Sequence, residues 1–309
     1  MTMKIVFAGT PQNAATTLRE LVRAGVEVVL VITRPDAPVG RKRIITASPV
    51  ALEAEELGIP LLKTSKLDAD AVETIKATGA TIGVVVAFGV ILRANALEAL
   101  SSGWFNLHYS DLPKWRGAAP VQRALAAGDR QTAVTLFKLD EGLDSGDIVG
   151  KVPVEVGPTE NAGELLSRLT GLGVSLLLEQ LPRIEAGVAT FTPQNHSEAT
   201  HATKPTRSDA RLSPEFEARE LENLVRGYTP EPGAWFETNQ GPVKVLRAHE
   251  YIAPSQSVAG NLSATGGRVL LGCANGTALE LLEVQPAGKN PMNAADWHRG
   301  LNSETTVMP

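Results

Sequence analysis

The feature that most constrains this chain is the alternation, through its first half, of short apolar runs with helix-like stretches. Lys4 to Ala8 reads as a buried strand, Pro11 opens a helix to about Ala24, and Gly25 stops it. Glu27 to Thr33 is a second apolar, β-branched run; Ser48 and Pro49 start a helix through Leu57, ended at Gly58. Further strands are expected at Ile59 to Leu62, Ile82 to Ala87 and Trp104 to His108, and Thr132 to Leu139 alternates as a sheet strand does. Asn161 to Ala186 reads as a long helix with leucines on one face. Strands that alternate with helices pair in parallel, because each crossover carries the chain back over the sheet. The expected fold is α/β, with a Rossmann-like, largely parallel sheet.

That sheet does not account for the whole chain. At 309 residues the sequence exceeds the usual single core. Residues 190–210 lack periodicity and read as a linker. A helix at Glu215 to Arg226 follows, then short apolar runs at Gly233 to Phe236, Val243 to Arg247, Arg268 to Gly272 and Ala278 to Val284. Short strands divided by glycine and proline suggest a small β-barrel, OB-like in size. The expected division is a catalytic domain over 1–189, the linker over 190–210 and a barrel over 211–309.

Composition narrows the chemistry. The single cysteine, Cys273, lies in an apolar run and is expected to be a buried small hydrophobe; the five histidines show no paired ligand spacing, so no metal centre is expected. Ile82 to Leu92 is too short to span a bilayer, and the first strand begins almost at once. A cytoplasmic, monomeric enzyme is the expectation. Phe7 to Pro11 follows the first strand but holds only Gly9 of the three glycines that a dinucleotide fingerprint needs. The net charge of −5 (29 basic, 34 acidic residues) means that any nucleic-acid contact must be a local basic patch.

The candidate reaction centre is Asn106 and His108 with Asp144. Two apart at the end of a predicted strand, the first two point to one side, where open α/β sheets place their sites. Asp144 follows the next long strand, bracketed by Gly142 and Gly146, which are expected to let the backbone turn tightly. An amide can donate to a developing oxyanion, an imidazole can donate or move protons, and a carboxylate can hold it charged. Together they suit an acyl group passing between two amines. Read alone, the pair could be a hydrogen-bonded strand end and Asp144 an Asx-turn cap.

The flanking residues go further. Asn106 to Pro120 and Asp140 to Asp147 closely resemble the signature of the 10-formyltetrahydrofolate-dependent formyltransferases. The resemblance covers nearly the whole chain and is densest over 104–147. It implies formyl transfer by the residues matching Asn106, His108 and Asp144, with 10-formyltetrahydrofolate as donor. It also implies a folate site lined by Ser110, Asp111, Leu112 and Pro113 and bordered by Phe88 and Gly89. The family usually has leucine where this chain has Asp111; facing solvent it is harmless, whereas facing His108 it would favour the imidazolium.

Arg34 to Ser48 is long for an α/β connection and carries Arg41, Lys42 and Arg43 after Gly40. As composition this is a solvated basic loop. It is similar to the loop by which family members acting on initiator methionyl-tRNA reach the acceptor stem, Arg41 being the best match. Gly227 to Trp235 and Leu282 to Met292 resemble the second domain of those same members, and Lys204, Arg207 and Lys244 are further candidates for phosphate contacts.

Overall fold

The computed structural model describes residues 3–40, 42–252, 257–301 and 305–308. In chain order, β1 (Lys4–Gly9), α1 (Gln12–Arg23) and β2 (Glu27–Thr33) are followed by two short strands, β3 (Ala37–Val39) and β4 (Ile44–Thr46). Next come α2 (Pro49–Glu56), β5 (Leu61–Lys63), α3 (Ala69–Ala77), β6 (Ile82–Val86), α4 (Ala94–Leu97) and β7 (Gly103–His108). After these come α5 (Pro120–Ala126), β8 (Gln131–Lys138), β9 (Ile148–Glu155) and α6 (Ala162–Glu185).

Seven of these strands form one sheet in the order β5-β2-β1-β6-β7-β8-β9. The pairs β2–β5, β1–β2, β1–β6 and β6–β7 are parallel, whereas β8 runs antiparallel to β7. The fold is thus the expected largely parallel α/β sheet, extended at one edge by antiparallel strands. β1 is the switch point, because the chain winds from it first to β2 and later to β6; ligand crevices of open sheets lie beyond the carboxyl ends of such strands. Gly9 closes β1 there. A Cβ on it would sit 2.7 Å from that of Ala14 and 2.9 Å from the Val86 carbonyl oxygen, so α1 and β6 can approach only a glycine. Below the crevice Val6, Ala8, Leu30, Ile32, Val85, Phe88 and Trp104 pack into an apolar core.

The loop between β2 and α2 is itself structured. β3 and β4 pair as an antiparallel hairpin, Val39 opposite Ile44, turned through Gly40 and Arg43 at positive φ. Val39, Ile44 and Ile45 are largely exposed on it. Lys42 and Arg43 stand exposed at its turn, and Arg41 lies outside the described residues.

A second compact unit gathers 119–131, 155–165 and 203–309, the first holding 1–118, 132–154 and 166–202. Residues 192–202, read from the sequence as linker, are bonded within the first unit: Thr192 exchanges backbone hydrogen bonds with Ile148, and Arg116 does so with Thr200 and Ala202. The second unit adds α7 (Ala218–Tyr228), β10 (Trp235–Thr238), β11 (Gly241–Glu250), β12 (Leu262–Thr265), β13 (Arg268–Gly272), β14 (Ala278–Pro286), β15 (Met292–Asn293), α8 (Ala294–Arg299) and β16 (Val307–Met308). A capping box between Glu217 and Glu220 starts α7. Its sheet runs β12-β13-β14-β11-β10-β16, and an Asn261–Thr306 bridge joins the segments at its two edges, closing the strands around one core. Phe236, Val245, Leu271 and Leu279 fill that core together with Cys273, whose thiol is pushed up to about 11 by burial.

Candidate active site

β7 places its last residues at the carboxyl edge of the parallel part of the sheet. Asn106 pairs with Val85 of β6 and Phe137 of β8, and His108 with Thr135. The period of two puts both side chains on one face. Phe137 meets the His108 ring edge-on, at 6.3 Å between centroids. The side-chain oxygen of Asn106 is buried with no hydrogen-bond partner, an unusual state for a carboxamide and one that an amine or amide N–H of a substrate would relieve.

His108 is held by its immediate surroundings. Nε2 lies 2.9 Å from the carbonyl oxygen of Trp115, which fixes the ring and makes Nε2 the donor there. Nδ1 lies 3.8 Å from Oδ2 of Asp144, too far for a hydrogen bond but close for a charge. N–H groups on both ring nitrogens would therefore face acceptors. Asp144 Oδ2 instead accepts the backbone N–H of Gly117 at 2.7 Å. Trp115 thus fixes the ring by a hydrogen bond, whereas the Asp144 carboxylate faces it without one.

The turn at Asp144 also differs from the expected one. Gly142 and Gly146 are not at positive φ; Asp144 itself is, at 49°. Gly146 is required for another reason, since a Cβ there would run into the carbonyl of Lys138. Asp140 braces the loop, accepting from the Ser145 hydroxyl and the Gly142 N–H. Gln194 and Arg116, which the sequence did not single out, complete the support: Gln194 Nε2 donates to the carbonyls of Asp144 and Gly146, and Arg116 donates to Gln194 Oε1. The basic, motif-bound Arg116 was the only signal that could have pointed there.

The segment expected to line a folate site is partly structural. Ser110 is fully buried and gives its hydroxyl to the Lys114 carbonyl; Leu112 is fully buried as well. Asp111 pairs with Lys151, whose Nζ sits 2.6 Å from its carboxylate and from the Leu112 carbonyl. Phe88 is buried in the core, so its ring offers no open face, while Gly89 beside it is exposed. The Phe88 carbonyl accepts from Thr10, tying the loops after β1 and β6 together. Burial raises the Tyr109 phenol above its ordinary range, which removes it as a base.

In the second unit, Arg207 and Arg211 lie over the Trp235 ring at 4.6 and 5.9 Å, and the Trp235 indole donates to the Arg207 carbonyl. Lys244 is the cross-strand neighbour of Trp235, and Lys204 is exposed a few residues before Arg207.

An α/β sheet with a carboxamide, an imidazole and a carboxylate converging beside its last parallel strand is the frame of an enzyme that moves a small acyl group. The chain belongs to the formyl transferase family. The family model for the formyl transferase domain matches residues 3–181, and that for the formyl transferase C-terminal domain matches 204–302. Among curated relatives, the methionyl-tRNA formyltransferase of Clavibacter sepedonicus is 45% identical over 305 residues, 99% of each chain. That of Streptomyces coelicolor is 45% identical over 300 residues, 96% of each. Solved structures with the same fold include the N-formyltransferase from Helicobacter canadensis in complex with folinic acid and dTDP-3-aminofucose (TM-score 0.65, 18% identity, 90% of this chain and 98% of that one). HypX from Aquifex aeolicus in complex with tetrahydrofolic acid is another (TM-score 0.66, 16% identity, 100% of this chain and 51% of that one).

Proposed function

We propose that this enzyme transfers the formyl group of 10-formyltetrahydrofolate to the α-amine of methionine esterified to initiator tRNA, giving N-formylmethionyl-tRNA for translation initiation. The observation that carries the acceptor assignment is the 45% identity to a methionyl-tRNA formyltransferase across 99% of the chain, both units included. The buried, partnerless Asn106 oxygen beside His108 suits a reaction in which an amine nitrogen must be bound and then stripped of a proton.

The α-amine attacks the formyl carbon, the new C–N bond forms, and the bond from that carbon to N10 breaks. The proton lost by the attacking amine ends on N10, which leaves as the secondary amine of tetrahydrofolate. Asn106 holds the reacting groups through its carboxamide, accepting from the amine and donating to the oxygen that gains charge. His108, tethered at Nε2, uses Nδ1 to take and return the proton, and Asp144 stabilises the positive charge on the ring between those events. Gly89, Asp111 and Pro113 offer the accessible lining for the folate, while Phe88, Ser110 and Leu112 shape its wall from behind. The β3–β4 hairpin, with Arg41, Lys42 and Arg43, and the Arg207–Trp235–Arg211 stack with Lys204 and Lys244 supply cationic and aromatic contacts for the tRNA.

The test is transfer of labelled formyl from 10-formyltetrahydrofolate to methionylated initiator tRNA, with methionylated elongator tRNA as control. Rapid transfer to the initiator alone is expected. Formylation of an amino sugar nucleotide, or release of formate with no transfer to tRNA, would overturn the acceptor assignment.

A further inference from the structure

Asp144 holds a backbone conformation that side-chain-bearing residues seldom adopt, and it does so in a loop pinched off from the sheet. Lys138 N–H bonds to the Asp147 carbonyl at the neck and Leu139 N–H to the Trp104 carbonyl of β7, leaving 140–146 outside the strand ladder. Beyond the bracing by Asp140 within it, this loop is tied down by a side chain from about 50 residues further on. Gln194 is 6% exposed, and its amide nitrogen donates at 2.9 Å to the Asp144 carbonyl and at 2.8 Å to the Gly146 carbonyl. One NH2 group thus bridges the two peptide units that flank the turn.

Gln194 is in turn gripped by a buried cation. Arg116, 7% exposed, places Nε at 3.2 Å and Nη2 at 2.7 Å from Gln194 Oε1, and Nη2 also meets Nδ1 of His196 at 3.0 Å. Two charge-assisted bonds on the amide oxygen fix the plane of the amide and strengthen the donation from its nitrogen. The backbone around Arg116 serves the same centre: the Trp115 carbonyl anchors His108, and the Gly117 N–H binds the Asp144 carboxylate. Residues 115–117 are themselves laid against 200–202, where Trp115 N–H donates to the Thr200 hydroxyl and Arg116 exchanges backbone bonds with Thr200 and Ala202.

We propose that Gln194, oriented by Arg116, is a positioning residue for formyl transfer that locks the Asp144 loop so that its carboxylate faces His108. This rests on the reading of Asp144 as the charge partner of His108. Misplacement of a reacting group by about 1 Å costs on the order of 100-fold in rate, which sets the expected effect.

Two variants and one double variant test it. Gln194→Leu removes both donors and the acceptor. Gln194→Glu keeps Arg116 paired but presents oxygens to the two loop carbonyls, so it preserves the buried cation while releasing the loop. Both should lower kcat about 30- to 100-fold with the KM for 10-formyltetrahydrofolate within about threefold, and Gln194→Glu should melt close to the parent. In an Asp144→Ala background, Gln194→Leu should cost less than about threefold, because the residue acts through Asp144. Amide hydrogen exchange across 140–147 should quicken at least tenfold in both single variants, a readout independent of turnover. Parent-like turnover of Gln194→Glu, equal losses with and without Asp144, or unchanged exchange would each overturn the proposal. Failure of the parent enzyme to formylate methionyl-tRNA would instead overturn the acceptor assignment, with the exchange measurement still deciding the loop.

Discussion

Replacing Asp144 by asparagine isolates its charge more cleanly than any other change at the site. Asparagine tolerates the left-handed backbone that Asp144 adopts, and its carbonyl oxygen can still accept the Gly117 N–H. Alanine would do neither, and would mix a backbone penalty of about 1–3 kcal/mol with the electrostatic one. The charge stands 3.8 Å from His108 Nδ1, with the two side chains 12% and 6% exposed, so water screens the pair weakly. At an effective dielectric of about 20, unit charges at that separation interact by about 4 kcal/mol. Only the part gained as the ring takes up the proton lowers the barrier, because attraction present in both ground and transition states leaves kcat unchanged. Between about 2.5 and 4 kcal/mol of differential stabilisation corresponds to about 10²- to 10³-fold in rate. The assay is single-turnover transfer from saturating 10-formyltetrahydrofolate to methionylated initiator tRNA, with a parallel thermal melt. Loss of at least two decades with a melting temperature within a few degrees of the parent is expected. A loss below tenfold would refute the charge-partner role and leave Asp144 as a loop cap.

Four further outcomes are expected. Asp111→Asn should change stability by less than about 1 kcal/mol, as urea titration will read, because its pair with Lys151 is half-exposed. Replacing Lys42 and Arg43 together by alanine should raise the KM for tRNA and flatten its dependence on salt by about 1–2 units of log–log slope, with the folate KM unchanged. Cys273 should resist a thiol-specific disulfide reagent at pH 8 in the folded protein and react promptly in denaturant, since its buried thiol ionises only near pH 11. Asp209 is held below its ordinary 3.8 by the Thr206 N–H and by Arg123, so its contribution is present above that pH and is lost as pH falls through the depressed value. Asp209→Asn should therefore melt earlier than the parent at pH 7, with the gap closing below pH 4.

Much of the sheet is legible because its strands are uniformly apolar. β1, β2, β6 and β7 are buried along nearly their whole length, and such runs stand out in any context. β9 escapes the same reading because Gly150, Lys151 and Pro153 interrupt it and its residues are mostly part-exposed. α5 escapes too, at seven residues and with no side-chain cap, being held by packing on α7. The β3–β4 hairpin is hidden by Pro35 and Pro38 and by a turn that uses Arg43 at positive φ where glycine is expected. At the site, Asn106, His108 and Asp144 are legible as chemistry, since their types and flanks imply it. Gln194 is not: a glutamine in an aperiodic stretch acquires its role only when the chain returns about 50 residues later to cover the loop.

The reversal at the sheet edge explains why the centre needs such support. Because β8 is antiparallel to β7, the strand after the active-site turn runs away from His108, and Lys138 ends it opposite Phe105. At about 3.3 Å per residue the chain leaves the ladder roughly 10 Å short of the ring that Asp144 must face. A parallel β8 would have delivered a loop at the carboxyl edge, positioned by the sheet itself. Here the seven residues from 140 to 146 return outside the strand ladder, and the Asp144 carboxylate is set near His108 through a left-handed residue, one backbone N–H and one glutamine. The sheet positions the carboxamide and the imidazole to strand precision, whereas the charge beside the imidazole depends on side chains. The rate should therefore respond to Gln194 although that residue touches neither substrate.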